Sequence, residues 1–130
     1  MTSPLAGSFV AVGAGAAIGA WVRWGLGVWL NHLLPTLPMG TLAANLLGGY
    51  LVGAAVTVFH IHVDLPVELK LFFITGLLGG LTTFSSFSAE VVSLIQHGRY
   101  AWAAGAASLH LFGSLLMTGL GVWSVHRLAG

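Results

Sequence analysis

The chain has 130 residues, of which 57% are hydrophobic and only 5% are charged, and its formal net charge is +1. Soluble domains carry about 25% charged residues, so four basic and three acidic side chains are too few to cover a water-facing surface, and we predict an integral membrane protein. The near-neutral charge gives no reason to expect a nucleic-acid partner, and the lack of cysteine excludes disulfides.

Four apolar segments follow one another along the chain, and each meets the ~20 residues that a membrane-spanning helix needs. We predict transmembrane helices over residues 8–30, 40–60, 69–96 and 101–125. The connections between them are short and leave no room for a soluble domain. The expected architecture is therefore a single all-α domain, residues 1–130, with four transmembrane helices.

The first segment carries one charge, Arg23, close to its end. A basic side chain there can extend toward water at the membrane surface, or it can attract anions into an aqueous vestibule. Glycines separated by four positions recur in three of the segments, and such pairs let helix backbones approach closely. The pairs are Gly15 and Gly19, Gly49 and Gly53, and Gly76 and Gly80.

The second segment has no charge but contains one amide, Asn45 in GTLAANLLGGY. Polar groups inside membranes are energetically expensive and are often functional. Asn45 either hydrogen-bonds a neighbouring helix or lies beside an ion path, and the sequence leaves both interpretations open. At the end of this segment His60 and His62 form an H-x-H pair, which is more typical of a solvated loop than of a metal site.

The third segment is predicted to contain a helix break between about Gly76 and Thr83, within TGLLGGLTTFSSFS. Glycine weakens a helix, and threonine hydroxyls compete for backbone hydrogen bonds. Non-helical backbone at membrane depth must be buried in protein or line a cavity, where its carbonyls are suitable ligands for a cation such as Na⁺. The alternative is a glycine patch filled by neighbouring side chains.

Two aromatic residues follow directly, because Phe84 and Phe87 lie three positions apart on one helical face, with Ser85 and Ser88 beside them. Such a pair can simply pack against lipid or core, but its alternation with serines favours a functional surface. Glu90 comes about two turns after Phe84 and is either an interfacial carboxylate or part of a vestibule.

The fourth segment places His110, Ser114 and Thr118 at four-residue intervals along one face. Hydroxyl, amide and imidazole groups can all donate hydrogen bonds, and no row of carboxylates accompanies them. Phenyl ring edges also carry a partial positive charge. This combination suits a small anion better than a cation.

The basic residues do not favour either orientation in the membrane. Lys70 and Arg127 belong to one side of a four-helix chain, and Arg23 and Arg99 belong to the other. Orientation follows an excess of basic residues on the cytoplasmic side, so an equal division predicts insertion in both orientations and antiparallel pairing of two copies. We see no nucleophile triad, phosphate-binding loop or metal cluster in the sequence, and we do not expect an enzyme.

The motifs of the chain resemble those of the Fluc (CrcB) fluoride channels over nearly its whole length. The resemblance rests on GAAIGAWVRW, GTLAANLLGGYLVG, TGLLGGLTTFSSFSAE and GSLLMTGLG in the four segments. It implies an antiparallel, dual-topology homodimer with two fluoride pores and a structural Na⁺ at the centre. By the motif, the backbone carbonyls of Gly79 and Thr82 from each subunit would hold that ion.

The resemblance also implies roles for the polar and aromatic side chains of the last three helices. It places Phe84 and Phe87 in the pore lining and Asn45 on the fluoride path. Polar positions at or near the pore are Ser85, Ser88, Ser114 and Thr118. His110 falls at a position occupied by serine in some members of the family and by histidine in others, so its role is less well defined.

The charged positions and the cellular role follow from the same resemblance. Arg23 matches an arginine that serves the aqueous vestibule, and Glu90 is the second vestibule candidate. The implied function is passive, electrogenic export of cytoplasmic fluoride through the cell inner membrane. Composition alone also allows a small dual-topology drug/proton exporter, which would need an embedded carboxylate, or a membrane assembly factor that transports nothing.

Overall fold

The computed structural model describes residues 4–129, which are helical throughout their regular structure and contain no β-strand. Four stretches are long and apolar enough to cross a membrane, which confirms the predicted number of spans. We number the helices α1 to α5, with α3 and α4 together forming the third span. They are α1 (Pro4–Leu30), α2 (Met39–Ile61), α3 (67–81), α4 (Phe84–Gln96) and α5 (Tyr100–Ala129).

The first and last helices, α1 and α5, are longer than the apolar segments that predicted them. α1 extends to Pro4 at its N-terminal side, upstream of the predicted residue 8. α5 continues to Ala129, beyond the predicted residue 125. His126 and Arg127 lie in its last turn, where positive charge complements the helix dipole.

The third span changes backbone geometry twice. α3 is α-helical over Val67–Lys70, π-helical over Leu71–Leu78 and α-helical again over Gly79–Leu81. Thr82 (φ −84°, ψ 156°) and Thr83 (φ −148°, ψ 120°) are extended, and α4 then begins at Phe84.

The hydroxyl of Thr83 caps α4 by accepting a hydrogen bond from the amide of Ser86 at 3.0 Å. The glycines expected in an unwound turn, Gly76, Gly79 and Gly80, are therefore helical. Only the two threonines leave the helix.

Close packing of α1 on α3 accounts for two of these glycines, Gly76 and Gly80. Gly15 and Gly19 on α1 lie against the backbone of α3, and Gly76 and Gly80 lie against the backbone of α1. A β-carbon on Gly76 would fall 2.8 Å from the carbonyl oxygen of Val12, a distance that real side chains do not adopt. Glycine is therefore required on both faces of this helix pair.

The second close pair is α2 with α5, which are in extensive contact. Gly53 lies directly against the backbone of Thr118, and Gly121 lies against the backbone of Tyr50. The hydroxyl of Tyr50 donates a hydrogen bond to Ser124 Oγ at 2.8 Å across the same interface. The four-residue glycine spacing thus correctly predicted close approach, and the structure identifies the partner helices.

Apolar side chains are distributed as in a protein surrounded by lipid. The buried core is small and formed mainly by leucine and alanine, whereas large side chains such as Phe9, Trp21 and Leu116 lie on the outer surface. An outward-facing apolar surface of this kind fits a hydrocarbon environment.

Candidate functional site

A groove of about 450 Å³ lies where α2, α5 and the junction of α3 with α4 meet. It brings together eight of the residues that the sequence singled out. These are Asn45, Gly79, Thr82, Phe84, Phe87, His110, Ser114 and Thr118.

Asn45 bridges α2 to the extended stretch between α3 and α4. Its Oδ1 accepts a hydrogen bond from the amide of Thr83 at 2.8 Å, and its Nδ2 donates to the carbonyl of the same residue at 3.0 Å. One side-chain amide therefore satisfies both backbone groups of a residue that has no helical partner for them.

The same amide also reaches α5. Asn45 Nδ2 lies 3.0 Å from His110 Nδ1, and His110 is buried, with 4% of its surface exposed. The imidazole stacks on the ring of Phe87 with 4.6 Å between centroids and an interplanar angle of 29°. Helices α2, α4 and α5 therefore meet through one contiguous set of polar and aromatic contacts.

The two phenylalanines of α4 form an edge-to-face pair. The centroids of Phe84 and Phe87 are 5.5 Å apart and the rings are inclined at 76°. Phe84 is 78% exposed in the single chain although it lines the groove. The groove is therefore open on the side where Phe84 stands.

The hydroxyl groups differ in their availability. Thr118 Oγ1 donates toward the carbonyls of Gly49 at 3.0 Å and Ser114 at 2.9 Å, so its single proton is engaged with backbone. Ser114 Oγ has no hydrogen-bond partner within residues 4–129 and lines the groove. Ser85 and Ser88 are placed differently, because neither lines the groove.

Two backbone carbonyls are released from helical bonding at the junction. In an α-helix each carbonyl accepts from the amide four residues later. The amide that would serve Gly79 belongs to Thr83 and donates to Asn45 instead. The amide that would serve Thr82 belongs to Ser86 and donates to Thr83 Oγ1.

The charged candidates lie outside the groove. Arg23 on α1 donates from Nε to the carbonyl of Gly80 at 3.0 Å, one residue after Gly79. Glu90 accepts a hydrogen bond from Thr41 Oγ1 at 2.7 Å, which ties α4 to the first turn of α2. Neither side chain lines the groove itself.

His60 and His62 are exposed at the end of α2. Within residues 4–129 no group of three or more His, Cys, Asp or Glu side chains is arranged to hold a metal ion. The described structure therefore adds no further ligands to the H-x-H pair.

Sequence reasoning missed two partners in this region. Thr83 contributes its backbone to Asn45, and backbone exposure of this kind leaves no residue-type signal. Thr41 binds Glu90 from 49 positions away. For Thr83, the one local indication in the sequence was its position three residues before Ser86, which is the spacing between a helix-capping residue and the amide that it binds.

Comparison with known proteins extends over nearly the whole chain. Residues 10–122 match the family described as CrcB-like protein, Camphor Resistance (CrcB). A protein named "Fluoride-specific ion channel FluC" from Nitrosospira multiformis is 60% identical to this chain over 94% of this chain and 95% of that protein. A protein of the same name in Cupriavidus taiwanensis is 60% identical over 93% and 96%. Another, in Pseudomonas putida, is 55% identical over 95% and 97%.

Proposed function

The chain belongs to the CrcB family, and we propose that it is a fluoride-specific ion channel that lets cytoplasmic fluoride leave the cell passively. The main support for this function is the similarity, over nearly the full length of the chain, to relatives named "Fluoride-specific ion channel FluC". The geometry supports it, because the groove offers hydrogen-bond donors and aromatic rings and its lining contains no charged side chain.

Export without an energy source follows from the chemistry of a weak acid. Hydrogen fluoride crosses a membrane as a neutral molecule, dissociates at the higher internal pH and leaves fluoride trapped. A potential that is negative inside drives the anion outward with ~2.3 kcal/mol per 100 mV. A passive pore in the cell inner membrane is therefore sufficient.

The fluoride path runs along the groove. Fluoride is small and strongly hydrated, so it needs several donors at short distance in place of water. Asn45, His110 and Ser114 provide polar groups, and the inclined rings of Phe84 and Phe87 provide positive edges. Ser85, Ser88 and Thr118 complete the set of polar positions at or near this path.

The functional unit is an antiparallel homodimer of dual topology. The exposed ring of Phe84 leaves the groove open on one side, and a second copy would cover it. The equal division of basic residues between the two sides allows both orientations to insert. Each pore is thus built at the contact between two oppositely oriented subunits.

A structural Na⁺ fits the junction of α3 and α4. The carbonyls of Gly79 and Thr82 are released from helical bonds, and unpaired carbonyls in hydrocarbon cost several kcal/mol. Two antiparallel copies would supply four such oxygens, which suit a hard cation. When bound, the cation would neutralise these dipoles and join the subunits.

Arg23 and Glu90 belong to the aqueous vestibules of the channel. Arg23 bonds Gly80 through Nε, which leaves the remaining guanidinium nitrogens for anions arriving from water. A proton-coupled exporter is not favoured, because Glu90 is bound to Thr41 and does not line the groove.

Fluoride efflux from proteoliposomes tests the function directly. Vesicles loaded with potassium fluoride are diluted into fluoride-free medium, and valinomycin provides the counter-current of potassium. A channel gives rapid efflux that depends on valinomycin and not on a proton carrier. Efflux that requires a proton gradient, or no efflux above empty vesicles, would contradict the proposal.

A further inference from the structure

His110 contains an unpaired buried nitrogen. Its Nε2 is shielded from solvent and has no hydrogen-bond partner within residues 4–129. The whole side chain is 4% exposed, and it lines the groove. Buried polar atoms are normally hydrogen-bonded, so an isolated one in a proposed ion path indicates a missing partner.

The protonation of this nitrogen follows from contacts that begin at the backbone of Thr83. The amide of Thr83 must donate and its carbonyl must accept. The side chain of Asn45 therefore has a single possible orientation, with Oδ1 on the amide and Nδ2 on the carbonyl. A flipped amide would set donor against donor and acceptor against acceptor.

The second hydrogen of Asn45 Nδ2 is directed at His110 Nδ1, 3.0 Å away. That nitrogen must accept, so it carries no proton. A neutral imidazole protonated at one nitrogen then has its hydrogen on Nε2. Rotating the ring would replace the acceptor with a carbon and leave Asn45 unsatisfied, and stacking on Phe87 holds the ring plane.

We propose that His110 presents a fixed Nε2–H donor to fluoride in the groove, and that Asn45 sets its tautomer. This inference rests on the proposed function, since it names the atom that contacts the ion. Fluoride is a small, strong hydrogen-bond acceptor, and a donor that is already stripped of water has no bound water to give up. Asn45 is then a positioning residue for His110.

Two substitutions separate the ring nitrogens. His110→Asn keeps an acceptor near the Nδ1 position and has no atom near Nε2, whereas His110→Gln places an amide nitrogen near Nε2. We expect His110→Asn to lower fluoride efflux about tenfold or more, as expected for loss of one hydrogen bond to a charged partner. His110→Gln should retain several times more efflux than His110→Asn. Equal, wild-type efflux in both would overturn the inference.

Nitrogen-15 NMR of the wild-type protein gives a readout that does not require a folded variant. His110, assigned through its own backbone resonances, should show an unprotonated Nδ1 and a protonated Nε2, and added fluoride should shift the Nε2 signal while equal chloride does not. The opposite tautomer, or no fluoride-specific shift, would overturn the inference even if wild-type vesicles conduct fluoride. Failure of the wild-type vesicles to conduct would instead refute the proposed function.

Discussion

Replacing Asn45 with aspartate should abolish most fluoride conduction while leaving the helices assembled. Asn45→Asp preserves size but removes both hydrogens of Nδ2. The carbonyl of Thr83, 3.0 Å from that nitrogen, loses its donor and faces a carboxylate oxygen instead. His110 loses the donor that fixes its tautomer. The change therefore affects the shape of the junction and the ion path at the same time.

The expected size of the effect can be worked from these contacts. Leaving one buried carbonyl unpaired costs about 1–3 kcal/mol. A negative charge roughly 5 Å from a passing anion opposes it by about 3 kcal/mol at an effective dielectric constant near 20. The carbonyl penalty lowers the stability of the fold, whereas the repulsion alone adds about 3 kcal/mol to the barrier for the anion, which corresponds to roughly a hundredfold loss of flux.

The assay is valinomycin-driven fluoride efflux from proteoliposomes, measured with a fluoride electrode at matched protein density. Thr57→Val on the same helix is the control, because Thr57 Oγ1 bonds only the carbonyl of Gly53 within α2, at 2.8 Å. We expect the control to conduct like the wild type. If Asn45→Asp elutes as a folded protein and conducts within about threefold of the control, Asn45 is a packing contact and the reasoning from its hydrogen bonds is wrong.

Four further predictions concern the interface, the hydroxyls, the cation and the topology. A β-carbon at Gly79 would meet only the carbonyl oxygen of Ile74, at 3.7 Å, within the chain, whereas one at Gly80 would fall 2.5 Å from the carbonyl oxygen of Ala16. Gly79→Val should therefore leave the packing within the chain intact and act at the proposed dimer contact, with loss of the dimer on size exclusion. A retained dimer would contradict the interface position of Gly79. Ser114→Ala should reduce efflux more than Thr118→Val, because the Thr118 proton is engaged with carbonyls; the reverse order would contradict this assignment. Long equilibration with a large organic cation in place of Na⁺ should lower efflux or dimer retention, and no change in sodium-free protein would remove the central cation. Two lysines added at the C-terminus should impose one orientation in reporter fusions and stop function, whereas a single orientation in the unmodified chain would refute dual topology.

The helices and their packing faces could be predicted because the length of an apolar segment and the spacing of glycines can both be read from short stretches of the sequence. Segments of about twenty apolar residues have few alternatives to a membrane helix. Glycines four positions apart mark the faces where α1 meets α3 and where α2 meets α5. The π-helical stretch Leu71–Leu78 had no such signal, since its side chains are ordinary apolar residues of a membrane helix.

Residues that line the groove could be predicted from the sequence, but the hydrogen bonds between them could not. Residue types identified Asn45 and His110 as polar groups in an apolar setting. Their bonds join positions 38 and 65 residues apart, and they depend on how two threonines extend the backbone. The predicted break, between about Gly76 and Thr83, covered both the glycines and the threonines, but only Thr82 and Thr83 are extended, and the glycines of that range are helical.

The two interpretations of Asn45 that the sequence left open are compatible in the structure. As a helix-bridging amide, Asn45 occupies the amide of Thr83 and so releases the carbonyl of Gly79 from its helical partner. As a neighbour of the ion path, it directs its remaining hydrogen at His110 and so fixes which imidazole nitrogen donates. In the channel that we propose, one side chain therefore couples the carbonyls that hold the cation to the donor that meets the anion. A substitution at Asn45 should then disturb both, which separates it from Ser114, whose loss should affect fluoride alone.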